Sequence, residues 1–295
     1  MRTGLKCEKG NQMPELPEVE LVARTLGKLV KGRRIVTSEI LRPRLIPHHT
    51  PKAFTKVVTD TLIKDVSRRG KHILIHLDND HSVMVHLRMA GRFMLLSEER
   101  DDPKFTHAKF HLDDENKLVF SDQRHFGFMR LYKTEALPDA KELRDLAPEP
   151  FSKEFTEEYF LETISSSRRN LKEFLLDQSK VLGLGNIYAC ETMFLSGVDP
   201  RSRACDVTKP IAKRLFETMR EVLKESIEFS KRMKIDPENI DGSYFGGAHD
   251  NHWFVYDREQ EPCVKCTRPI KRIPQGSRST YFCWNCQRMM RPKKA

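Results

Sequence analysis

Two pairs of cysteines constrain the fold of this chain more than any other feature of its sequence. Each of the segments CVKC and CWNC contains two thiols with two residues between them, and residues 267–282 separate the pairs. Each C-x2-C pair can turn two thiolates toward one ion, and two such pairs complete a tetrahedral Zn2+ site. Four thiolates fill that coordination shell, so the spacing predicts one structural zinc ion with no open position for water. The predicted ligands are Cys263, Cys266, Cys283 and Cys286.

The rest of the composition favours this metal site over a disulfide framework. The chain has seven cysteines in 295 residues, and residues 1–12 lack the apolar core of a signal peptide. The sequence has no apolar run near the ~18 residues that a membrane-spanning helix needs. A net charge of +10 at pH 7 favours a polyanionic partner. We therefore expect a cytoplasmic protein that does not bind membranes. We also expect it to be a monomer, although the composition does not determine the oligomeric state.

The first half of the chain has the pattern of one helix followed by a β domain. Apolar residues recur at helical spacing from Glu18 to Val30, and Pro17 suits the first turn of a helix. Beyond them, short extended runs flank polar turns, which predicts antiparallel hairpins. The paired runs are 72–77 with 82–87 and 108–112 with 117–120.

The second half of the chain has a helical pattern. Helices are predicted around Leu171–Leu175, over IYACETMFL at 187–195, and from Thr208–Pro210 onward. The stretch 232–252 is aperiodic and longer than an ordinary loop, so it is either functional or mobile. The predicted order is an extension at 1–12, a β domain at 13–135, a linker at 136–152, a helical domain at 153–255 and a zinc module at 256–290.

Several short segments have chemistry that suits phosphates or bases, each with a plainer alternative. The glycine turn in VLGLGN can aim backbone N–H groups at a phosphate, or it can simply join two helices. In SDQRHFG, Arg124 and Phe126 can enter a base stack, or they can be a surface arginine beside a core phenylalanine. Met89 can insert into a base stack as a wedge, or it can be a core residue. Lys71 can be no more than a solvated surface charge. Arg278, at a turn between the cysteine pairs, offers a phosphate contact.

Six segments taken together narrow these alternatives. They occur in order as PELPEVE, RRGKHILI, HLRMAGR, QRHFG, LLDQ followed by VLGLGNIYACE, and GSRSTYFCWNCQ. This series resembles the formamidopyrimidine-DNA glycosylase family and its endonuclease VIII relatives, from Met13 to about Arg291. The resemblance implies an α+β fold: an N-terminal antiparallel β-sandwich with a flanking helix, then a helix–two-turn–helix domain with a zinc β-hairpin. It also implies excision of oxidised purines from double-stranded DNA, with strand cleavage at the abasic site.

The resemblance also implies a role for each matching residue. Pro14 matches the nucleophile, and Glu15 matches the acid that moves protons at the sugar. Glu18 and Glu191 match further acids of the family. The implied catalytic residues are Pro14, Glu15, Lys71 and Arg278, of which the last two bind phosphates around the lesion together with Asn186. Met89, Arg124 and Phe126 match side chains that contact DNA by filling the gap left by an everted base and facing its partner.

The segment MPELPEVE has the form of a second start at Met13. In the family, the nucleophile is the amine of an N-terminal proline. When Pro14 is joined to Met13, its nitrogen is a tertiary amide with no N–H and no available lone pair. We therefore expect residues 1–12 to be absent from the working protein or removed from it, and a chain that keeps them to be inactive.

The sequence departs from the family in two places. QRHF replaces a more familiar proline–arginine–arginine–phenylalanine run, and the stretch 232–252 lacks the usual lesion-capping pattern. Two alternatives follow. The first is an endonuclease VIII-like glycosylase for oxidised pyrimidines, which PELPE disfavours because many of those relatives have PEGPE. The second is a zinc-dependent protein that binds damaged DNA without catalysis.

Overall fold

A computed structural model describes residues 13–242 and 253–292. These described residues divide into two compact units, 13–144 with 232–242 and 145–231 with 253–292. The predicted extension at 1–12 and part of the predicted loop, 243–252, lie outside the described residues. None of the described helices is long and apolar enough to cross a membrane.

The described part of the first unit is an antiparallel sheet of eight strands with two helices. The strand order is β5-β7-β6-β1-β2-β3-β4-β8, and β1 joins β2 through a short link at Arg34–Leu62 and Ile35–Thr61. The sheet therefore has two four-stranded halves, and one buried cluster contains side chains from both, as in a β-sandwich. The elements are α1 (Leu16–Val30), β1 (Arg34–Ile40), α2 (Pro51–Val58), β2 (Thr61–Arg69), β3 (His72–Leu77), β4 (His81–His86), β5 (Gly91–Ser97), β6 (Thr106–Leu112), β7 (Asn116–Asp122) and β8 (Phe128–Lys133).

The two predicted hairpins are confirmed. β3 pairs with β4 and β6 pairs with β7, each antiparallel and within a residue or two of the predicted bounds. The predicted first helix is also confirmed, although it begins at Leu16 rather than Glu18. It begins earlier because the backbone N–H of Glu15 donates to Oε2 of Glu18 at 2.9 Å, one half of a capping box.

The described part of the second unit contains four helices and one hairpin. α5 is buried along almost its whole length and packs against α6, so it forms the centre of the unit. The elements are α3 (Glu157–Ser165), α4 (Leu171–Leu176), α5 (Asn186–Leu195), α6 (Lys209–Lys231), β9 (Lys271–Gln275) and β10 (Arg278–Phe282).

The segment that follows α6 extends the sheet of the first unit. Ile240 is fully buried and exchanges two backbone hydrogen bonds with Phe93 of β5, at 3.0 and 2.8 Å. The N–H of Leu95 donates to the carbonyl of Pro237 at 2.8 Å. The sequence pattern groups this segment with the helical stretch at 153–255, whereas backbone pairing at the open edge of β5 joins it to the β unit.

Candidate functional site

Pro14 is buried and lies two residues before the start of α1, next to the N-cap residue Glu15. The backbone of Gly242 packs against its ring: a Cβ added to Gly242 would collide with Cγ of Pro14 and lie 2.6 Å from its Cβ. Only glycine leaves the proline in place there, because packed atoms cannot approach so closely. The segment after α6 therefore positions the ring of Pro14, a contact that no local sequence pattern reveals.

Two carboxyl groups follow Pro14, one on the N-cap residue Glu15 and one on Glu18 in the first turn of α1. Glu15 and Glu18 are each only 3% exposed. The capping box explains how both are tolerated, since each side chain accepts a backbone N–H of the other residue. The positive end of the helix dipole also favours negative charge at this position. Buried acids beside Pro14 are groups that can move protons at a nearby reacting atom.

Lys71 and Met89 lie on separate turns of the first unit. Lys71 follows Gly70, which has a φ of +56°, in the tight turn between β2 and β3. Met89 lies between β4 and β5 and is half-buried. Met89 is thus neither a full core residue nor a fully exposed one, so its proposed contact with DNA stays a prediction.

The turn between β7 and β8 presents Arg124 and Phe126. Phe126 is 57% exposed, so it is not the core phenylalanine of the plainer alternative. The guanidinium carbon of Arg124 lies 5.5 Å from the centre of the Phe126 ring. The carboxylate of Asp122, which is fully buried, accepts the N–H groups of Arg124 and Gly127 at 2.9 and 2.7 Å. This turn holds an exposed aromatic ring and a cation on a fixed backbone.

The glycine turn VLGLGN joins α4 to α5 in the second unit. Gly183 has a φ of +91°, and its N–H donates to Oε1 of Gln178 at 3.0 Å. Nε2 of the same glutamine donates to the carbonyl of Leu184 at 2.9 Å. Gln178 therefore fixes the turn from its own side chain, and sequence analysis did not single it out.

Asn186, the first residue of α5, contacts the β9–β10 hairpin. Its Nδ2 donates to the carbonyl of Ser279 at 3.0 Å, while its Oδ1 is buried and has no hydrogen-bond partner among the described residues. Its predicted role as a phosphate ligand stays a prediction, because the structure shows its amide group engaged with the hairpin.

Arg278 is the first residue of β10, directly after the hairpin turn that contains Gly276 with a φ of +57°. It is exposed and borders a cleft of about 600 Å3 that α4 also lines. From α4, the fully buried Lys172 donates to the carbonyl of Ser279 at 2.8 Å and to Oγ1 of Thr280 at 2.6 Å. Sequence analysis missed Lys172, because a lysine in NLKEF has the local pattern of a surface residue.

The four cysteines of the two C-x2-C pairs lie close enough together to hold one metal ion. All four sulfur atoms lie within 4.8 Å of one another. The Sγ–Sγ distance is 3.8 Å between Cys263 and Cys286 and 3.5 Å between Cys266 and Cys283. A tetrahedral Zn2+ ion with Zn–S bonds of about 2.3 Å needs sulfurs about 3.8 Å apart, so the donor set fits a metal of that size.

A glutamine beside the cysteines fixes them to the helical part of the unit. Oε1 of Gln287 accepts the N–H of Cys283 at 2.8 Å, and its Nε2 donates to the carbonyl of Val198 at 2.9 Å. This contact ties the second cysteine pair to the end of α5.

Glu191 anchors the chain that leads into the cysteine cluster. Its carboxylate is 2% exposed and accepts the N–H groups of Phe254, Val255 and Tyr256 at 2.8, 3.0 and 2.9 Å. Burial raises the pKa of Glu191, and the three N–H donors oppose that shift. The contacts assign Glu191 a structural task within the second unit.

Comparison with known proteins places these features in one family. Residues 13–129 match the family model described as the formamidopyrimidine-DNA glycosylase N-terminal domain, and residues 146–236 match the model of the H2TH domain of the same enzyme. The formamidopyrimidine-DNA glycosylase of Bacillus licheniformis is 38% identical over 277 residues, which cover 94% of this chain and 100% of that protein.

Solved structures agree with the sequence relatives. The wild-type Lactococcus lactis Fpg protein in complex with DNA containing N7-benzyl-Fapy-dG is similar, with a TM-score of 0.85 and 31% identity, over 93% of this chain and 99% of that one. The same bacterial protein in complex with DNA containing an oxidised pyrimidine gives a TM-score of 0.84 at 31% identity, with the same coverage. With its antiparallel β unit, its helical unit and its cysteine cluster, the chain belongs to the formamidopyrimidine-DNA glycosylase family.

Proposed function

We propose that this glycosylase excises oxidised purines from double-stranded DNA and then cleaves the strand at the abasic site, with the amine of Pro14 as nucleophile. The observation that carries the proposal is the position of Pro14: it is buried, packed against Gly242, and followed by the two buried acids Glu15 and Glu18. A proline whose only role is to begin a helix would need neither the contact with Gly242 nor the buried acids. Because its proposed substrate is cellular DNA, the enzyme would act in the compartment that contains the DNA.

The proposed nucleophile depends on the basicity of an α-amino group. Such a group has a reference pKa of about 7.7–8.0, so on the order of a tenth of it is neutral at pH 7. A lysine with a pKa of about 10.4 is neutral in less than about one molecule in a thousand. A free amine at Pro14 is therefore much more often ready to attack, whereas the amide formed with Met13 has no lone pair to offer.

The proposed reaction begins with attack of the amine on C1′ of the damaged nucleotide. The N–C1′ bond forms as the C1′–base bond breaks, the base leaves with the bonding electrons, and the N–H proton that the amine loses is transferred to the departing base. Opening of the sugar ring then gives an iminium ion as O4′ gains a proton. Loss of a proton from C2′ expels the 3′ phosphate, and a second elimination expels the 5′ phosphate.

Glu15 is the group that we propose to move protons at O4′ and C2′. It is the residue adjacent to Pro14, and its burial removes the water that would otherwise compete for those protons. Glu18 remains tied to the N–H of Glu15 and supports its orientation.

Cationic and polar groups hold the DNA in the proposed complex. Lys71, Asn186 and Arg278 would contact phosphates, which gives affinity without sequence preference. Met89, Arg124 and Phe126 would fill the space left by the everted base, which helps offset the few kcal/mol that extrusion costs. The exposure of Phe126 supports this role, because an exposed ring on a turn can reach a base stack.

We also propose that the four cysteines bind one zinc ion with a structural role. The spacing of their sulfurs suits tetrahedral coordination, and four thiolates leave no position for a reacting water. The ion would hold the hairpin that carries Arg278, since the strand β9 has little buried surface of its own.

Oxidised pyrimidines are a second candidate substrate. The favouring observation is the similarity to a protein solved with DNA that contains an oxidised pyrimidine. Both lesions require the same amine chemistry, so the choice between them depends on the base pocket rather than on Pro14.

The test is a measurement of base release by a chain that begins at Pro14, on duplexes that contain 8-oxoguanine, a formamidopyrimidine or an oxidised pyrimidine. We expect the two purine lesions to be released faster and the strand to be cut in the same reaction. Faster release of the pyrimidine would favour the second candidate. Tight binding without release of any base would show a protein that binds damaged DNA without catalysis.

A further inference from the structure

The turn that carries Arg124 and Phe126 rests on a pair of histidines. His125 lies at the middle of the turn, with a φ of +60°, and its ring lies beside the ring of His107, with centres 5.0 Å apart and planes at 12°. Nδ1 of His125 lies 2.9 Å from Nε2 of His107, which is a hydrogen bond. His125 stands in the run QRHF, where this chain departs from the more familiar family pattern.

The fold holds His107 firmly in the position where it meets His125. His107 lies on β6 at a shift in the register with β7, between the pairs Thr106–Ser121 and Ala108–Phe120. Such a bulge re-aims a side chain that regular pairing would place elsewhere. The carbonyl of His107 accepts the N–H groups of Leu41 and Arg42 at 2.9 and 3.1 Å. His107 is therefore a rigid support that is 3% exposed.

The surroundings of His107 also fix the direction of the hydrogen bond. Its Nδ1 is buried and has no hydrogen-bond partner among the described residues. A proton there would be a buried donor with no acceptor, which is the costlier alternative. Burial also lowers the pKa of His107, which keeps its ring neutral. The single ring proton is then on Nε2, from which it is donated to Nδ1 of His125.

The two ends of the turn and its middle are thus fixed by different groups. The carboxylate of Asp122 holds the ends through the N–H groups of Arg124 and Gly127. His107 holds the middle through the ring of His125. Phe126, the large apolar side chain of the turn, is exposed, and the neighbouring His125 is exposed as well.

We propose that His107 and His125 are positioning residues that fix the turn so that Arg124 reads the base opposite the lesion. The inference rests on the proposed role of Arg124, and it adds two residues to the set that decides discrimination between opposite bases. Without the pair, Arg124 would keep its charge but lose its fixed direction, and a bidentate contact with a base edge depends on direction. Binding to phosphates would not depend on it.

The test measures affinity for duplexes with a stable abasic-site analogue opposite each of the four bases. The readout is the spread, meaning the ratio of the weakest to the tightest dissociation constant. We expect His107→Leu and His125→Gly to reduce the spread by a factor on the order of ten and to leave the mean affinity nearly unchanged. Glycine suits the positive φ at position 125, so this second variant keeps the test valid if His107→Leu does not fold.

Two conservative variants serve as matched controls. His107→Gln keeps a donor near the position of Nε2, and His125→Asn keeps a polar atom near Nδ1 and tolerates the positive φ. Both should retain most of the spread. An equal loss of affinity for all four duplexes, or a glutamine variant as impaired as the leucine variant, would contradict the proposal.

The variant Arg124→Ala separates this proposal from the one on which it rests. If it reduces the spread, then adding His107→Leu to it should reduce the spread no further, because the pair acts through Arg124. A reduced spread in Arg124→Ala with no effect of either histidine variant would overturn the positioning role alone. An unchanged spread in Arg124→Ala would overturn both the role of Arg124 and that of the pair. Since these experiments measure only binding, their outcome does not depend on whether Pro14 is the nucleophile.

Discussion

The two units fix their functional groups in different ways. In the first unit, Pro14 and Glu15 precede a helix that is anchored in an apolar core, because α1 buries Leu16, Val19 and Leu26. In the second unit, Arg278 lies on a hairpin whose strand β9 is mostly exposed. That hairpin accepts hydrogen bonds from Lys172 and Asn186, and we propose that zinc in the cysteine cluster also holds it.

This difference indicates that the two units stabilise their proposed catalytic and DNA-binding groups by different interactions. Burial of apolar side chains is worth about 1.5–3 kcal/mol for each large residue, so the first unit needs no metal to keep its groups in place. The strand β9 buries little surface of its own, so cross-links would stabilise its hairpin, and a bound metal is one such cross-link. We therefore expect the rate of base release and the affinity for DNA to depend on different residues.

Replacement of the acid next to Pro14 should give the largest effect. Glu15→Gln keeps an acceptor for the capping box but cannot donate or remove a proton in the same way. We expect base release to slow by about 10²–10⁴-fold while affinity for abasic DNA stays within about twofold. Glu20→Gln removes one charge from the same helix and should change neither quantity. Equal losses of binding and of rate in Glu15→Gln would break the proposed separation.

A smaller effect should follow from changing Gly242, which tests whether packing positions Pro14. The Cβ of Gly242→Ala would collide with the proline ring. We expect the rate of covalent trapping on abasic DNA to fall by about 10–100-fold, since a displaced nucleophile loses its alignment. The control is Gly27→Ala in α1, where an added Cβ would lie 3.8 Å from its nearest neighbours. A normal trapping rate in Gly242→Ala would show that the contact is incidental.

Loss of the metal should lower the affinity for DNA and should not affect the folding of the first unit. Cys283→Ser should reduce the zinc content from about one ion per chain toward none, and DNA affinity should fall with it. The control is Cys205→Ser, a half-buried cysteine of the same unit that lies outside the cluster. Elemental analysis and DNA titration measure the two quantities. A Cys283→Ser protein that keeps its zinc would rule out the ligand assignment.

Replacement of Arg278 should give the smallest effect, because it removes only about one phosphate contact. Arg278→Ala should weaken binding to every lesion to a similar extent and reduce the slope of log affinity against log salt by about one. Arg272→Ala removes a neighbouring exposed arginine from β9 and should leave the slope nearly unchanged. If the two variants behave the other way round, the tip of the hairpin is not the phosphate contact.

The sequence predicted the parts of the molecule whose signals are local. The hairpins β3–β4 and β6–β7 have alternating apolar runs around polar turns, and each C-x2-C pair contains its own spacing rule. α2 and α3 escaped prediction because each buries only two large apolar residues, Phe54 and Val58 in α2 and Phe160 and Ile164 in α3. The capping threonines before them, Thr50 and Thr156, were the available signal.

What the sequence could not predict are contacts between distant positions. Gly242 against Pro14, Lys172 under the hairpin and His107 beside His125 each join segments that no period or motif relates. The roles of Pro14, Glu15 and the DNA ligands came from family resemblance and not from spacing, so they stay predictions until they are tested on this chain.

The central claim is that the amine of Pro14 forms a covalent bond with the sugar, and borohydride trapping tests it most directly. A chain that begins at Pro14 and the 295-residue chain with Met1 retained are each mixed with an abasic duplex and reduced. Reduction converts an iminium ion into a stable adduct, so we expect the first chain to become linked to DNA through Pro14 and the second to remain free. Comparable crosslinking of the two chains, or an adduct at a residue other than Pro14, would contradict the claim.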